Sequence, residues 1–199
     1  MGSSTIDGNA IVRPNQSAFF SGGQSFVAPG LNGNDLGLYF DLAFTFQAVQ
    51  SDNSTPGVLV PRGTNGPLLI ALIDNSANNQ EATYGCRLIV TRTNFGQVEC
   101  YVSPSKASDL DENNDKTESS PEVDLRGRVT VLFAKDNTKG KLTVTAEGSE
   151  EKTTDISFLP GVRAFGNGSP MAIASGTGKT DFTGFMDNVD LKKYCSSFM

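Results

Sequence analysis

The sequence of 199 residues contains neither histidine nor tryptophan. Without histidine, the chain lacks the usual general base, the usual partner of a serine or cysteine nucleophile and the commonest zinc ligand. This excludes histidine-dependent hydrolytic triads and His-rich metal sites. Without tryptophan, any stacking against a sugar ring must come from the phenylalanines or from the tyrosines. The four tyrosines are Tyr39, Tyr84, Tyr101 and Tyr194.

Positive charge and long apolar runs are also scarce. The 16 Lys and Arg residues are outnumbered by 22 Asp and Glu, which gives a net charge of −6 and a pI of about 4.6. This balance opposes binding to a phosphate backbone or to an anionic lipid surface. No window approaches the roughly 18 consecutive apolar residues of a membrane-spanning helix. We therefore expect no nucleic-acid partner and no membrane insertion.

Cysteine is rare, with Cys86, Cys100 and Cys195 forming an odd count that is too sparse for a disulfide framework. Cys86 alternates in phase with Leu88, and Cys100 with Val98, which predicts that both point inward. We interpret them as buried thiols, and a bridge between Cys86 and Cys100 stays open because their segments could pair.

The clearest positive feature of the sequence is that apolar residues recur at every second position in several segments. In Leu38 to Ala48, every second residue from Leu38 to Phe46 is Leu or Phe, which predicts a half-buried strand. The same pattern recurs at Tyr84 to Thr91, Gln97 to Val102, Arg128 to Ala134, Lys141 to Ala146 and Thr183 to Leu191. The turn clusters Asn94 to Gly96 and Asp136 to Gly140 are typical of hairpin connections.

Strands of this kind have one apolar face each, so they predict two packed antiparallel sheets with little helix. We expect a single β-sandwich domain over residues 1–199. The continuous apolar run Leu68 to Ile73 is a strand covered on both faces or a buried helical segment. Two long loops are predicted, Ser51 to Gly66 and the acidic segment Ser103 to Pro121. The predicted core is Leu42, Phe44, Phe46, Val131, Phe133, Leu142 and Val144.

Both ends of the chain carry short motifs. Ala18 to Val27 has phenylalanines on both sides of Gly22-Gly23, and the alternating strand follows it. Phe182 to Leu191 reads Phe-Thr-Gly-Phe-Met-Asp-Asn-Val-Asp-Leu. Together these segments resemble the opening and closing strands of concanavalin A-like and laminin-G-like domains. The resemblance implies a jelly roll whose first and last strands lie close together, with ligand or calcium sites on rim loops or a concave face. It also implies that Asp187 holds a neighbouring turn through backbone hydrogen bonds.

The segment Glu122 to Arg126 is similar to part of the Glu-x-Asp-x-Glu motif of laminarinase-like glucanases, which share this fold. Alternation would place Glu122 and Asp124 on one face of a strand, as a retaining glycosidase requires. Arg126 stands where the last carboxylate should be. We therefore interpret the segment as a solvated strand end and predict no catalytic residues.

Ile173 to Thr180 nearly spells a phosphate-binding P-loop. That motif requires glycine at its first position, where this chain has Ile173, and a helix after Lys179-Thr180. The residues that follow, Asp181 to Gly184, are typical of a turn and a strand. We predict a flexible turn here and no bound nucleotide.

These observations favour a non-catalytic recognition module that binds glycan or protein through the rim loops of a β-sandwich. The alternative is a structural subunit of a larger assembly, such as a virion-surface, fibre or adhesin component, that packs against copies of itself. A carbohydrate-active enzyme is the third hypothesis. Any of these would act outside the cell, on a cell surface or on a virion surface.

The acidic loop also suggests a cofactor. Asp109, Asp111, Asn113 and Asp115 carry oxygen ligands at alternate positions, which is how the first half of a calcium-binding loop is spaced. The turn glycine and the closing glutamate of an EF-hand are absent. The segment is either a looser calcium site or a solvated acidic loop. The pairs Asp74-Asn75 and Asn78-Asn79, after Leu68 to Ile73, could serve similarly.

If the loop binds calcium, the ion should raise the melting temperature with increasing concentration, because it binds only the folded state. We expect affinity in roughly the millimolar range, since the closing glutamate is missing. Thermal unfolding with calcium and with chelator, in the parent and in the Asp111→Ala, Asp115→Ala variant, measures this effect. An equal shift in both proteins would place the site elsewhere, and no shift would leave a solvated loop.

Overall fold

β-Strands make up the regular structure throughout the described part of the chain. The computed structural model describes residues 5–7, 17–22, 25–28, 36–49, 68–75, 83–102, 116–164, 169–175 and 181–194. In chain order the strands are β1 (Thr5–Asp7), β2 (Ala18–Ser21), β3 (Ser25–Ala28), β4 (Tyr39–Ala48), β5 (Leu68–Asp74), β6 (Tyr84–Arg92), β7 (Phe95–Val102), β8 (Lys116–Ser119), β9 (Val123–Asp124), β10 (Val129–Asp136), β11 (Lys139–Ala146), β12 (Lys152–Ser157), β13 (Met171–Ile173) and β14 (Thr183–Lys193). In these ranges no helix is present, and so none that could cross a membrane.

The strands form two antiparallel sheets. One has six strands in the order β12-β11-β10-β4-β14-β2. The other has eight, in the order β1-β3-β13-β5-β6-β7-β8, with β9 also paired to β7. The ring centroids of Phe40 in β4 and Tyr84 in β6 are 6.3 Å apart, so the sheets pack face to face. The predicted all-β antiparallel sandwich is confirmed.

Two-residue alternation explains why β4 lies at the centre of the six-stranded sheet. Its inward side chains Phe40, Leu42, Phe44 and Phe46 are at most 1% exposed. The residues between them are polar or small, and they face away from the core. β4 pairs along its length with β10 on one side and β14 on the other. All seven residues of the predicted core are buried, at 1% exposure or less: Leu42, Phe44, Phe46, Val131, Phe133, Leu142 and Val144.

The closing motif Phe-x-Gly has a steric cause. Gly184 has φ 146°, and a Cβ atom there would lie 2.2 Å from the carbonyl oxygen of Gln47 and 2.8 Å from the ring of Phe182. Only glycine can therefore bring β14 against β4 while the buried Phe182 ring folds over it. On its other side Gly184 pairs with Phe20 of β2, so the first and last strands of this sheet are adjacent, as the resemblance implied.

The predicted turns are also confirmed. Asn94 and Asn137 have φ values of 64° and 52°, a conformation that asparagine tolerates better than most residues. They lie in the short connections β6–β7 and β10–β11. Leu68 to Ile73 lies within strand β5, whose four residues Ile70 to Ile73 are almost fully buried.

The structure corrects the preferred interpretation of the cysteines. Cys86 and Cys100 are both 1% exposed, as predicted, but they are joined by a disulfide bond. The two residues lie directly opposite each other in the β6–β7 pair. Two-residue alternation predicts that both side chains point inward, but it does not predict which residue of β7 lies opposite Cys86. Cys195 lies outside the described residues.

The acidic loop is shorter than predicted at its C-terminal end. Residues Lys116–Ser119 form β8, which pairs with β7, because polar residues suit an edge strand whose neighbour carries the apolar face. The prediction of a loop is therefore wrong for these four residues. Residues 103–115 and the predicted loop Ser51 to Gly66 lie outside the described ranges.

Replacing Phe44 with alanine should leave a cavity between the sheets and lower the free energy of unfolding by about 3 to 5 kcal/mol. Urea denaturation measures the change. Leu132→Ala is a matched control, because Leu132 is 39% exposed on the adjacent strand β10. A loss at Phe44 of less than about 1 kcal/mol would contradict the packing.

Candidate functional site

The carboxylates of the glucanase-like segment are both engaged by arginine. Thr91 Oγ1 donates to Glu122 Oε1 at 2.6 Å, and Arg92 Nη2 donates to Glu122 Oε2 at 2.7 Å. Asp124 accepts from Nε of Arg126 at 2.9 Å. The hydrogen bonds from Arg92 and Thr91 lower the pKa of Glu122, and the hydrogen bond from Arg126 lowers the pKa of Asp124. A glycosidase general acid needs the opposite shift, so this pair does not provide one.

The P-loop-like segment connects two strands. β13 ends at Ile173, and the amide of Phe182 donates to the carbonyl of Ala174 at 2.9 Å. β14 begins directly afterwards, at Thr183. A strand therefore stands where a P-loop requires a helix, which agrees with the predicted turn and strand. Residues 176–180 lie outside the described ranges.

The predicted calcium ligands Asp109, Asp111, Asn113 and Asp115 all lie outside the described residues, and the calcium site stays a prediction. Of the two further pairs of possible calcium ligands, Asn78-Asn79 also lies outside the described residues. In the ranges that the structure does describe, no three acidic or cysteine side chains cluster as a metal centre would require.

Asp74 and Asn75 are described, and they bond to Tyr101 of β7 and to Thr83, just before β6, respectively. The Asn75 side chain accepts a hydrogen bond from the Thr83 amide and donates one to the Thr83 hydroxyl, each at 2.7 Å. The Tyr101 hydroxyl donates to Asp74 at 3.4 Å. Its ring crosses Gly85, where a Cβ atom would lie 2.8 Å from the hydroxyl. Burial, followed by the charge of Asp74, raises the pKa of Tyr101 well above its ordinary value.

The four tyrosines do not provide the exposed aromatic platform that a sugar would need. Tyr84 is 1% exposed in the core, and burial raises its pKa to about 12. Tyr101 is bonded to Asp74, and the Tyr194 hydroxyl donates to Asp41 at 2.8 Å. Tyr39 stays half-buried on β4. Within the described residues, the aromatic side chain that is more than about a third exposed is Phe185.

A phenylalanine pair with one exposed and one half-buried member lies on the outward-facing side of the six-stranded sheet. Phe19 of β2 and Phe185 of β14 are opposite each other in register, with ring centroids 4.9 Å apart. Phe185 is 38% exposed and has Gln47 of β4 as its other neighbour. A single exposed apolar side chain is ordinary on a protein surface, but the contact with Phe19 makes Phe185 part of a continuous apolar area.

A set of charged and polar groups adjoins this pair. Asp187 follows Phe185 by two residues and so lies on the same face of β14. Its Oδ2 atom accepts a hydrogen bond from the Ser17 hydroxyl at 2.6 Å and forms an ion pair with Arg128. Nη2 of Arg128 also donates to Ser17 Oγ at 2.6 Å. We call Phe19, Phe185, Gln47, Ser17, Arg128 and Asp187 the outer-face patch.

The contacts of Asp187 join three strands, because Ser17 immediately precedes β2 and Arg128 immediately precedes β10. This agrees with a structural role for Asp187, but the partners differ from the predicted backbone groups. In the described part of the chain its carboxylate is bonded by the side chains of Ser17, Arg128 and Asn188. The positive φ of Asn188, 53°, marks the β-bulge that follows.

Sequence reasoning missed Lys135, which is fully buried at the end of β10. Its Nζ donates to the carbonyl of Asn137 at 2.7 Å and lies 4.6 Å from the centroid of the Phe158 ring. Burial lowers the pKa of Lys135 to about 8, and the nearby Asp136 opposes that shift. The sequence does contain a signal for this. Lys135 follows Val131 and Phe133 at the next alternate position, so two-residue alternation predicts that it points inward. The predicted strand, Arg128 to Ala134, ends one residue before it, whereas β10 continues to Asp136.

Comparisons with known proteins identify the fold. No protein-family model matches the chain, and no curated protein matches it in sequence. Full-length tailspike protein 2 from Escherichia coli O157:H7 bacteriophage CAB120 aligns with a TM-score of 0.55 at 8% identity, over 96% of this chain and 25% of that one. The CBM40 module of Ruminococcus gnavus IT-sialidase aligns with a TM-score of 0.53 at 13% identity, over 93% of this chain and 92% of the module.

Domains LG4-5 of the mouse laminin alpha1 chain align with a TM-score of 0.49 at 17% identity, over 90% of this chain and 42% of that one. The chain spans only about a quarter of the tailspike length. The tailspike and CBM40 matches, each with a TM-score above 0.5, agree with the sheet topology in showing a jelly-roll sandwich of the concanavalin A-like fold. The fold suggested by the end motifs is thereby confirmed.

The lowered pKa of Lys135 predicts a specific pH dependence. Between pH 8 and 10.5 the unfolded chain holds more protons on this side chain than the folded chain does, so its contribution to the free energy of unfolding rises with pH across that window. Chemical denaturation at pH 7.5 and pH 10 should therefore show the parent gaining stability relative to Lys135→Met. Lys141→Met, which removes an exposed lysine from β11, controls for the loss of one positive charge. An identical parent–variant difference at both pH values would contradict the shift.

Proposed function

We propose that this protein is a non-catalytic recognition module that binds a glycan or a protein surface. The observation that carries the proposal is the outer-face patch, where an aromatic pair with a 38% exposed member adjoins a fixed set of hydrogen-bonding groups. Binding sites combine apolar contact area with a few well-placed polar groups in this way. The rim loops of the initial hypothesis lie largely outside the described residues, and the patch offers a second surface.

Two further observations favour recognition over catalysis. The carboxylates Glu122 and Asp124 are each neutralised by an arginine, and their lowered pKa values leave neither as a proton donor at neutral pH. The fold match to the IT-sialidase CBM40 module covers 92% of that module, so the two domains correspond over nearly their whole length. That module was solved bound to alpha2,3 sialyllactose.

A structural subunit of a larger assembly is the second candidate. It is favoured by the match to a phage tailspike protein, in which a domain of this fold is one part of a longer chain. Exposed Leu132 and Leu159, in addition to Phe185, could pack against a neighbouring copy. In either role the buried Cys86–Cys100 disulfide favours an oxidising location, outside the cell or on a virion surface.

A glycan array probed with and without calcium, run beside a measurement of mass in solution, separates these two functions. Selective glycan binding by a monomer is the expected result. Stable oligomers that bind no glycan would contradict the recognition of glycans and favour the structural role.

A further inference from the structure

We propose that the outer-face patch binds a single neutral pyranose ring of a glycan, with the ring stacked on Phe185 and its hydroxyls bonded by Arg128, Asp187 and Gln47. This inference rests on the proposed recognition function and names its ligand class and its site.

The apolar half of the patch is suited to the face of a sugar ring. Phe19 and Phe185 pack together with tilted rings, which fixes Phe185 from one side and leaves 38% of it exposed. Pyranose rings present a patch of C–H groups on one face, and covering an exposed aromatic ring with them removes apolar surface from water on both partners. Phe185 lies between Phe19 and Gln47, so polar groups begin directly beside the ring.

The polar half of the patch matches the rim of such a ring, which carries hydroxyls that both donate and accept. Asp187 and Gln47 can accept hydrogen bonds, while Arg128 and Gln47 can donate them. Arg128 uses only Nη2 in its contacts with Ser17 and Asp187, so within the described residues its other guanidinium N–H groups are uncommitted. Its side chain is 48% exposed, whereas that of Asp187 is 17% exposed.

Mutual bonding holds these groups in place before any ligand arrives. Ser17 bonds to both Asp187 and Arg128; Ser17 and Arg128 immediately precede β2 and β10, and Asp187 lies within β14. The side chains of Asp187 and Arg128 therefore lose little conformational freedom on binding, which reduces the entropic cost of binding. At most exposed polar sites, binding must order long side chains, which costs conformational entropy. Here the hydrogen bonds within the patch already order them.

The charge of the patch selects the ligand class. Arg128 and Asp187 form an ion pair whose charges cancel, so the patch has no net charge to offer an acidic sugar. The whole chain carries −6, which disfavours anionic glycans at long range as well. A neutral hexose or pentose ring can hydrogen-bond to both members of the ion pair and leaves the pair intact.

The test is isothermal titration of the parent with four neutral probes, lactose, maltotriose, cellotriose and xylotriose, and with alpha2,3-sialyllactose as the charged probe. We expect at least one neutral probe to bind. Phe185→Ala should then weaken that binding about tenfold or more, whereas Phe185→Trp should keep or tighten it because a larger ring covers more of the sugar. Arg128→Lys should weaken it less than Phe185→Ala, because the lysine keeps the charge and loses the planar donors.

Leu159→Ala is the matched control, because it removes an exposed apolar side chain just after β12, the opposite edge strand of the same sheet. It should leave affinity unchanged, and melting curves show whether each variant folds. Neutral-sugar binding that survives Phe185→Ala would overturn this inference while leaving the recognition function intact. Binding of sialyllactose alone would overturn the charge argument.

Two remaining outcomes also contradict the inference. If no probe binds the parent, the patch is not a sugar site, and a positive glycan array would then locate recognition elsewhere on the protein. If Phe185→Ala lowers the mass in solution, the occupant of the patch is a second copy of the chain, and the structural function is favoured.

Discussion

The rest of the structure depends on the burial of one face of β4. Four large side chains, from Phe40 to Phe46, point into the sandwich, and Phe40 contacts a ring from each sheet. β10 and β14 pair with the same strand on either side. Because the side-chain period of a strand is two residues, a register slip of one residue would turn all four into water. The apolar pattern of β4 therefore fixes the register of its two neighbours. Those neighbours in turn determine which residues meet on the opposite side of the sheet.

The outer-face patch is a consequence of that register. Phe185 meets Phe19 because Gly184 lies close against Gln47 and Ala48, and Asp187 faces Thr45 two residues later. The patch ends where the bulge at Asn188 shifts the pairing. Such bulges re-aim the side chains next to them. The same steric requirement that closes the sheet therefore also positions the only phenylalanine in the described ranges that is more than about a third exposed.

Much of the fold could be predicted from the sequence, because it rests on local patterns. The strands β4, β6, β7, β10, β11 and β14, the seven core residues and the asparagine turns all follow from two-residue alternation and from the backbone preferences of single residues. The resemblance of the end motifs added the adjacency of β2 and β14. Steric crowding at Gly184 gives this resemblance a physical basis, since no larger residue would fit there.

The candidate site could not be predicted, because it depends on pairs that are far apart in the chain. Phe19 and Phe185 are separated by most of the sequence, and so are Ser17 and Asp187, so no local pattern shows that they meet. The disulfide illustrates a milder form of the same problem. Alternation showed that Cys86 and Cys100 point inward, but only the register of β6 against β7 shows that they are opposite each other. Lys135 was missed for a different reason, since the predicted strand ended at Ala134 and β10 continues to Asp136.

The antiparallel pairing of β2 with β14 has a mechanical consequence. Residue Ala18 at the start of β2 lies opposite Met186, and β14 then continues past it to Lys193. The chain therefore enters β2 and leaves β14 at the same end of the pair. A force that pulls on these two points would separate the strands one hydrogen bond at a time, as in unzipping, instead of loading all the bonds together in shear. Under tension the pair Ala18–Met186 would be the first of the β2–β14 pairs to open, and Phe19 would then separate from Phe185.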